Sequence, residues 1–338
     1  MTFRIGVIGV GIHGARYLKH ATADVEGMVA TAICRRDAEA GAELARQWHC
    51  SHHQEPESLI ADPQVDGVIV CTPPASHYPL ARTVLAAGKP LLLEKPMTGT
   101  LAEARMLKEM DDSAAAPPLM VAQTLRWNPV LLKVRDLWPQ LGPVHLVRVV
   151  QRLAPTNLAW QRDLTQTVGG SVLLTGVHLF DTVRWLTGAE FIGVDSRQTQ
   201  ILNPVVEDLF LARGHLSDGC WVNLEVSKYT DSRGCWLEAV GEHGQLQAEY
   251  CTGGILLRKG YDETRFEVSA AVPTLPLVLA EWQRAAQTGS PPPVTVVDGL
   301  ATLQVVDACY RSAADVRTTT LVGDWQTGGD TSPETYLG

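Results

Sequence analysis

Six residues near the start of the chain narrow its fold more than any other feature. Gly9-Val10-Gly11-Ile12-His13-Gly14 follows directly on the apolar run Ile5–Ile8. Glycines at this spacing mean little alone. Placed after a strand and at the head of a helix, they specify a βαβ unit that holds a dinucleotide. Gly9 makes the tight turn, Gly11 has no Cβ to obstruct a pyrophosphate, and Gly14 lets the helix settle on the strand. The N–H groups of the first turn, which includes Ile12 and His13, and the helix dipole then favour phosphate. An ordinary strand–helix turn is the plain alternative. The runs Val29–Cys34, Val68–Cys71, Leu91–Leu93 and Leu119–Val121 are likewise continuously apolar, as in strands buried on both faces of a parallel sheet. Helical stretches near 12–22, 38–48, 76–87 and 101–112 alternate with them, the order of a doubly wound Rossmann fold.

After residue 123 the pattern changes. A helix is predicted from about 129 to 140, stopping at Gly142-Pro143, and a second near 170–187, ending at Gly188. In Trp221–Ser227 apolar and polar residues alternate, as in an antiparallel sheet with one covered face. Turn signals at Ser217-Asp218-Gly219, Ser232-Arg233-Gly234 and Thr252-Gly253-Gly254 space a meander. Ser290-Pro291-Pro292-Pro293 is a stiff connector to a last helix near 298–314. The expected organisation is α/β: a dinucleotide-binding domain over 1–123, an α+β substrate domain over 124–322, and a mobile tail over 323–338. Eight of nine tryptophans follow the boundary; they fill a core or interface, or one or two line a cleft between the domains.

Composition removes several function classes. The 28 basic and 37 acidic residues give a net charge of −9, which argues against a nucleic-acid or anionic-membrane partner. No apolar run reaches the ~18 residues of a spanning helix. The chain enters directly as a strand with no signal-peptide pattern, so a cytoplasmic location is expected. The seven cysteines are scattered without a C-x-x-C, and read as reduced thiols with no disulfide frame or zinc. His49-Cys50-Ser51-His52-His53 resembles a metal motif, but no matching ligand set follows; an exposed loop is expected, and no metal.

Three further blocks carry candidate chemistry. Cys34-Arg35-Arg36-Asp37 ends the second strand, where an NAD site usually places an acid for the ribose hydroxyls. Arginine there suits a 2′-phosphate, which favours NADP over NAD. Asp37 is an alternative ribose partner, or a helix cap with the arginines as surface charges. Thr72-Pro73-Pro74 with His77, and Glu94-Lys95-Pro96, both lie at carboxyl ends of parallel strands, where ligands sit in such folds.

Together these blocks resemble the glucose–fructose oxidoreductase / inositol dehydrogenase / rhizopine catabolism (Gfo/Idh/MocA) family of nicotinamide-dependent oxidoreductases. The likeness continues through Arg126-Trp127-Asn128-Pro129, Trp160, Gly169-Gly170, Gly176-Val177-His178-Leu179-Phe180-Asp181 and the helix from Asp298-Gly299-Leu300 to Tyr310-Arg311-Ser312. It implies a second domain with a large open sheet that builds homodimers or homotetramers, and a Lys95–Pro96 peptide that is cis in some members. It also implies that Lys95 touches both cofactor and reacting hydroxyl, with Glu94 orienting it and His178 assisting proton transfer. A buried core histidine is the alternative for His178. Gln123 joins the expected cofactor set; Arg126, Trp127, Trp160, Asp163 and Thr175 form the expected substrate set. One departure stands out. Sugar and inositol dehydrogenases of this family commonly carry Asp where Leu174 stands here. Either Lys95 and His178 suffice, or Asp163 or Asp181 enters the pocket, or the protein binds cofactor without turnover. The expected activity is hydride transfer between nicotinamide and a secondary alcohol or ketone of a sugar, cyclitol or related compound. The rivals are a non-catalytic dinucleotide-binding sensor and a reductase of an unsaturated or imine substrate.

Overall fold

A computed structural model describes residues 2–113 and 116–315. The tail expected to be mobile, 323–338, lies outside the described residues.

The first sheet is six-stranded and parallel. Its strands are β1 (Phe3–Ile8), β2 (Met28–Cys34), β3 (Ser51–His53), β4 (Gly67–Val70), β5 (Leu91–Leu93) and β6 (Leu119–Val121), in the order β3-β2-β1-β4-β5-β6. The connecting helices are α1 (Ile12–Ala23), α2 (Ala38–Trp48), α3 (Pro56–Ile60), α4 (His77–Ala86) and α5 (Leu101–Asp111). Every residue of β4, β5 and β6 is buried, which is why these strands read as unbroken apolar runs. Local signals fix the helix starts. The Asp37 side chain accepts from Ala40 N–H ahead of α2, and Thr100 with Glu103 forms a capping box on α5.

The second unit begins with α6 (Pro129–Leu137), capped by the Asn128 side chain. Then come β7 (Val144–Arg152), the short α7 (Leu164–Thr167) and α8 (Val177–Thr187). The meander follows as β8 (Phe191–Thr199), β9 (Leu209–Leu216), β10 (Trp221–Ser227), β11 (Gly234–Gly241), β12 (Gly244–Glu249), β13 (Gly254–Lys259) and β14 (Asp262–Glu267). The eight-stranded sheet has the order β14-β13-β12-β11-β7-β10-β9-β8 and is antiparallel except where β7 pairs with β10. Val222, Leu224 and Val226 are buried, whereas Trp221 and Asn223 face out, as the alternation predicts. The expected helix over 170–187 opens instead as a π-helical turn, Val172–Gly176, and continues as α8.

Two departures from the sequence reading matter. Residues 51–53 are not an exposed loop: they form the edge strand β3. His52 Nε2 meets the Arg35 carbonyl at 2.9 Å and His53 Nε2 meets Asp62 at 3.1 Å, so both rings have protein partners. The second departure concerns the division at 123. A helix not anticipated from the sequence, α9 (Leu275–Thr288), returns to the first sheet. There Trp282 is fully buried and meets Phe3 edge-on, with ring centroids 5.1 Å apart. Gln283 Nε2 donates to the Glu26 carbonyl at 3.3 Å. The last helix, α10 (Val296–Ala314), packs on α5, α8 and β8, and Val121 N–H donates to the Val294 carbonyl. One continuous apolar cluster therefore runs from the first sheet through α10 into the second.

Candidate active site

The carboxyl ends of β1, β2, β4 and β5 open onto a cleft of ≈ 1380 Å³ whose far wall comes from the second unit. That exceeds the ~300–1,000 Å³ of an ordinary small-molecule site and leaves room for a dinucleotide and a second small molecule.

The glycine loop fits a dinucleotide on its own geometry. Gly9 has φ +92°, and a Cβ there would lie 2.6 Å from the Cys71 carbonyl oxygen. A Cβ on Gly14 would lie 2.3 Å from the Gly9 carbonyl oxygen, so helix and loop touch. A Cβ on Gly11 meets nothing within 4 Å: it would project into the open cradle. Gly11 is also the N-cap of α1 and offers no side-chain cap, leaving N–H groups for a pyrophosphate. Ile12, an apolar side chain 77% exposed, flanks the cradle together with His13. At the adenosine end stand Arg35 and Arg36, joined by Glu55 and Glu57, which the sequence reading did not include. Asp37 is committed to its helix cap, with Oδ1 3.0 Å from Ala40 N. Thr72, Pro73 and Pro74 form the opposite wall. His77 is buried behind it, bridging the Pro96 carbonyl (2.7 Å) and the Thr72 carbonyl (2.8 Å), so it and Pro96 brace the wall rather than line it. The Lys95–Pro96 peptide is cis.

At the inner end, Glu94 is buried and heavily bonded. Its Oε1 accepts from Tyr17 Oη at 2.6 Å and meets His13 Nε2 at 2.7 Å, and its Oε2 accepts from the Lys95 backbone N–H at 3.0 Å. Burial alone would raise its pKa, but the bond and charge of His13, the Lys95 ammonium and Tyr17 together hold it down to about 2. His13, Glu94 and Cys71 place one ligand atom each within 4.8 Å of one another. Burial and the Glu94 charge push the Cys71 thiol well above its usual value.

Lys95 Nζ donates to the Leu174 carbonyl at 3.0 Å. This bears on the missing aspartate. Residue 174 sits in the π-helical turn, where the backbone ladder is displaced from α-helical spacing, and it binds Lys95 through its main chain instead of a carboxylate. Burial lowers the Lys95 pKa, and Glu94 partly restores it. His178 Nδ1 lies 3.1 Å from Gln123 Oε1. An amide oxygen only accepts, so Nδ1 carries the proton and Nε2 keeps its lone pair. The Gln123 amide is itself set by Nε2 donating to the Val177 carbonyl at 3.4 Å. Burial, then the Lys95 charge, holds His178 well below 6.5, in the neutral form. Gln123 is thus a buried support of His178 rather than part of the cleft surface.

The substrate half of the cleft is lined by Trp160, Thr175, Leu174 and His178. Three other expected residues lie elsewhere. Arg126 is locked to Asp181 (2.6 and 2.8 Å) and Asp298 (2.8 Å), an ion network joining the units. Trp127 packs against both apolar cores. Asp163 caps α7 by accepting from Thr165 N–H at 3.0 Å. Neither Asp163 nor Asp181 lines the cleft, so among the described residues neither of them replaces the acid absent at 174. Gln151, Gln161, Lys228 and Arg233, none of them in the expected substrate set, do line it.

Two family models match the chain. The Gfo/Idh/MocA "Oxidoreductase family, NAD-binding Rossmann fold" covers residues 3–122, and that family's "C-terminal alpha/beta domain" covers residues 139–321. The chain belongs to the Gfo/Idh/MocA family. Among its relatives, inositol 2-dehydrogenase 1 of Saccharopolyspora erythraea is 27% identical over 93% of this chain and 95% of that one. An uncharacterised oxidoreductase of Synechocystis is 31% identical over 72% of this chain and 70% of its own length. The structure of GenD2 from gentamicin A biosynthesis, solved in complex with NAD, superposes with a TM-score of 0.82 at 26% identity, covering 94% of this chain and 95% of that one. The Gfo/Idh/MocA assignment makes this chain an oxidoreductase with an NAD-binding first domain. Among the described residues, no helix is long and apolar enough to cross a membrane.

Proposed function

We propose that the protein is a nicotinamide-dependent dehydrogenase acting on a secondary alcohol, or the matching ketone, of a sugar, a cyclitol or a related polyhydroxy compound. The observation that carries this reading is the meeting of Lys95 and His178 in the cleft onto which the glycine loop opens. The inositol 2-dehydrogenase relative supports the substrate class.

The dinucleotide is held by Gly9, Gly11, Ile12, His13 and Gly14 on one side and Thr72, Pro73 and Pro74 on the other. When bound, the nicotinamide supplies the hydride acceptor for oxidation or the donor for reduction. The protein's own residues handle the proton. The neutral His178 imidazole, fixed with its proton on Nδ1 by Gln123, takes the hydroxyl proton at Nε2. The Lys95 ammonium, anchored on the Leu174 carbonyl, stabilises the developing alkoxide. Glu94 orients Lys95 through its backbone N–H and offers a fixed negative charge behind it. A carboxylate at 174 is not required, because a carbonyl already positions Lys95 and a neutral imidazole already receives the proton.

Arg35 and Arg36 support a preference for NADP over NAD, since a 2′-phosphate pairs with guanidinium groups and Asp37 is occupied. The exposed face of the second sheet, with Leu146, Leu211, Trp221, Trp236 and Val240 each at least 37% exposed, supports a homodimer or homotetramer formed there.

Replacing Lys95 with alanine tests the chemistry. Turnover on a panel of sugars and cyclitols should fall by about 10²–10⁴-fold while dinucleotide binding, followed by tryptophan fluorescence, persists. Near-normal turnover by Lys95→Ala would sink the role given to Lys95. Dinucleotide binding with no turnover of any panel member by the wild type would favour the non-catalytic sensor.

A further inference from the structure

The substrate half of the cleft has an unusual charge balance. Its wall from the second unit presents Gln151, Trp160, Gln161, Gln166 and Lys228, and the exposed Arg233 stands with them. The turn beneath Lys95 adds Leu174, Thr175 and His178. None of these is a carboxylate. Glu94 is the nearest acid in the lining, and it is engaged by His13, Tyr17 and the Lys95 backbone.

Lys228 is the residue most in need of a partner. It follows β10 directly and is pinned by its main chain: its N–H donates to the Asp208 carbonyl at 2.8 Å, and Leu153 N–H donates to the Ser227 carbonyl at 2.8 Å. Its Nζ donates to the neutral Gln161 Oε1 at 3.2 Å, and it forms no ion pair among the described residues. The two acids near it are committed elsewhere. The Asp208 carboxylate accepts from Ile201, Leu202 and Asn203 N–H at 2.6–2.8 Å. The Glu207 carboxylate accepts from Gly170 and Val172 N–H and from the Tyr310 hydroxyl. A half-buried ammonium whose hydrogen bond goes to an amide oxygen, with the nearby carboxylates bonded elsewhere, is poorly compensated, and an anion in the cleft would complete it.

Resting on the dehydrogenase reading for the chemistry, we propose that the substrate is a polyhydroxy carboxylate, a sugar acid rather than a neutral polyol, with its carboxylate on Lys228. One ammonium held in place matches one carboxylate charge. The same logic gives Leu174 a purpose: a carboxylate there would repel such a substrate. Burial, followed by the nearby Lys95 charge, brings the Lys228 pKa down to about 8, as expected of an ammonium short of its counter-charge.

The test pairs neutral and acidic substrates of one skeleton. The full-length protein is assayed at pH 7 with NAD and NADP on glucose, gluconate and glucose 6-phosphate, and on galactose and galacturonate. We expect kcat/KM for an acid to exceed that of its neutral partner at least tenfold. Lys228→Gln should reduce it by about 10–100-fold, chiefly through KM, as loss of a charge-assisted hydrogen bond does, and move the neutral substrates less than threefold. Lys228→Arg should restore most of the loss. Equal effects of Lys228→Gln on acid and neutral substrates, or a wild-type preference for the neutral member, would overturn the proposal. A preference for the phosphorylated sugar over both would overturn the carboxylate assignment. Calorimetric binding of the same acids to the protein with NADPH or NADH separates the two readings. Binding that depends on Lys228 without any turnover upholds the anion site and removes the dehydrogenase; binding of none of the acids removes the anion site.

Discussion

His178 and Lys95 are each displaced from ordinary solution behaviour by burial, and the displacement has a direction that can be tested. Below about 6.5 an unperturbed histidine would be protonated and useless as a base. In the cleft, burial and the Lys95 charge push His178 well below that value, against a smaller opposing pull from Glu94. Its base form therefore persists as pH falls through 6.5. The kcat/KM profile for a neutral substrate, in which the Lys228 titration near 8 does not enter, should stay flat from about pH 6 to 8. A fall centred on 6.5 would show that His178 titrates freely. On the alkaline side, burial lowers Lys95 below the usual 10.5, so the loss of its charge should begin early. At the adenosine end, Arg35→Asp should cut NADP affinity roughly tenfold or more and leave NAD affinity equal or improved, by calorimetry. Unchanged NADP binding would make Arg35 a surface charge. The glycine loop and Glu94-Lys95-Pro96 were legible because their chemistry is local: a turn, a cradle and a strand end. Gln151, Gln161 and Lys228 were not, because three separate segments bring them together. Arg126 was read as a cleft residue because its partners Asp181 and Asp298 lie far along the chain, and only the fold reveals that they hold it.

Among the elements, the parallel strands were readable from burial on both faces, and the alternation of β10 from burial on one. The short edge strand β3 was missed because three residues give no period to read. Helix α9 is more instructive. Leu275, Val278, Leu279 and Trp282 fall at helical spacing and are all buried, a pattern open to inspection. Pro276 stands in its first turn, where proline is compatible with a helix start. The apolar face of α9 belongs to the first sheet, not the second. Trp282→Ala should therefore cost about 3–5 kcal/mol in urea unfolding, with dinucleotide binding weakened alongside stability. A cost below about 1 kcal/mol would mean that α9 is an ornament on the first sheet rather than part of its core.

Over the whole molecule, the two units are coupled by chain crossing as well as by contact. Helices α9 and α10 come from the last third of the described chain, yet one seals the outer face of the first sheet and the other wedges between α5 and the second sheet. Arg126 adds an ionic tie with Asp181 and Asp298 at the same junction. The cleft walls are thereby held in register by a shared core, which suits the proposed pairing of Lys95 from one unit with His178 from the other. The sequence announced a parallel α/β sheet followed by a mainly antiparallel one, both of which the structure has. It could not announce the crossing, because an amphipathic helix does not say which neighbour its apolar face will choose.

The seat of Trp282 against Phe3 also sets an order of events at the ribosome. The first sheet can pair its strands once β6 has been made, but the surface that α9 covers stays bare until residue 288 has emerged. At roughly 5–20 residues per second that interval is on the order of 10–30 s. Through that time each nascent chain carries an open, greasy socket, and a helix made late closes the sheet that was made first.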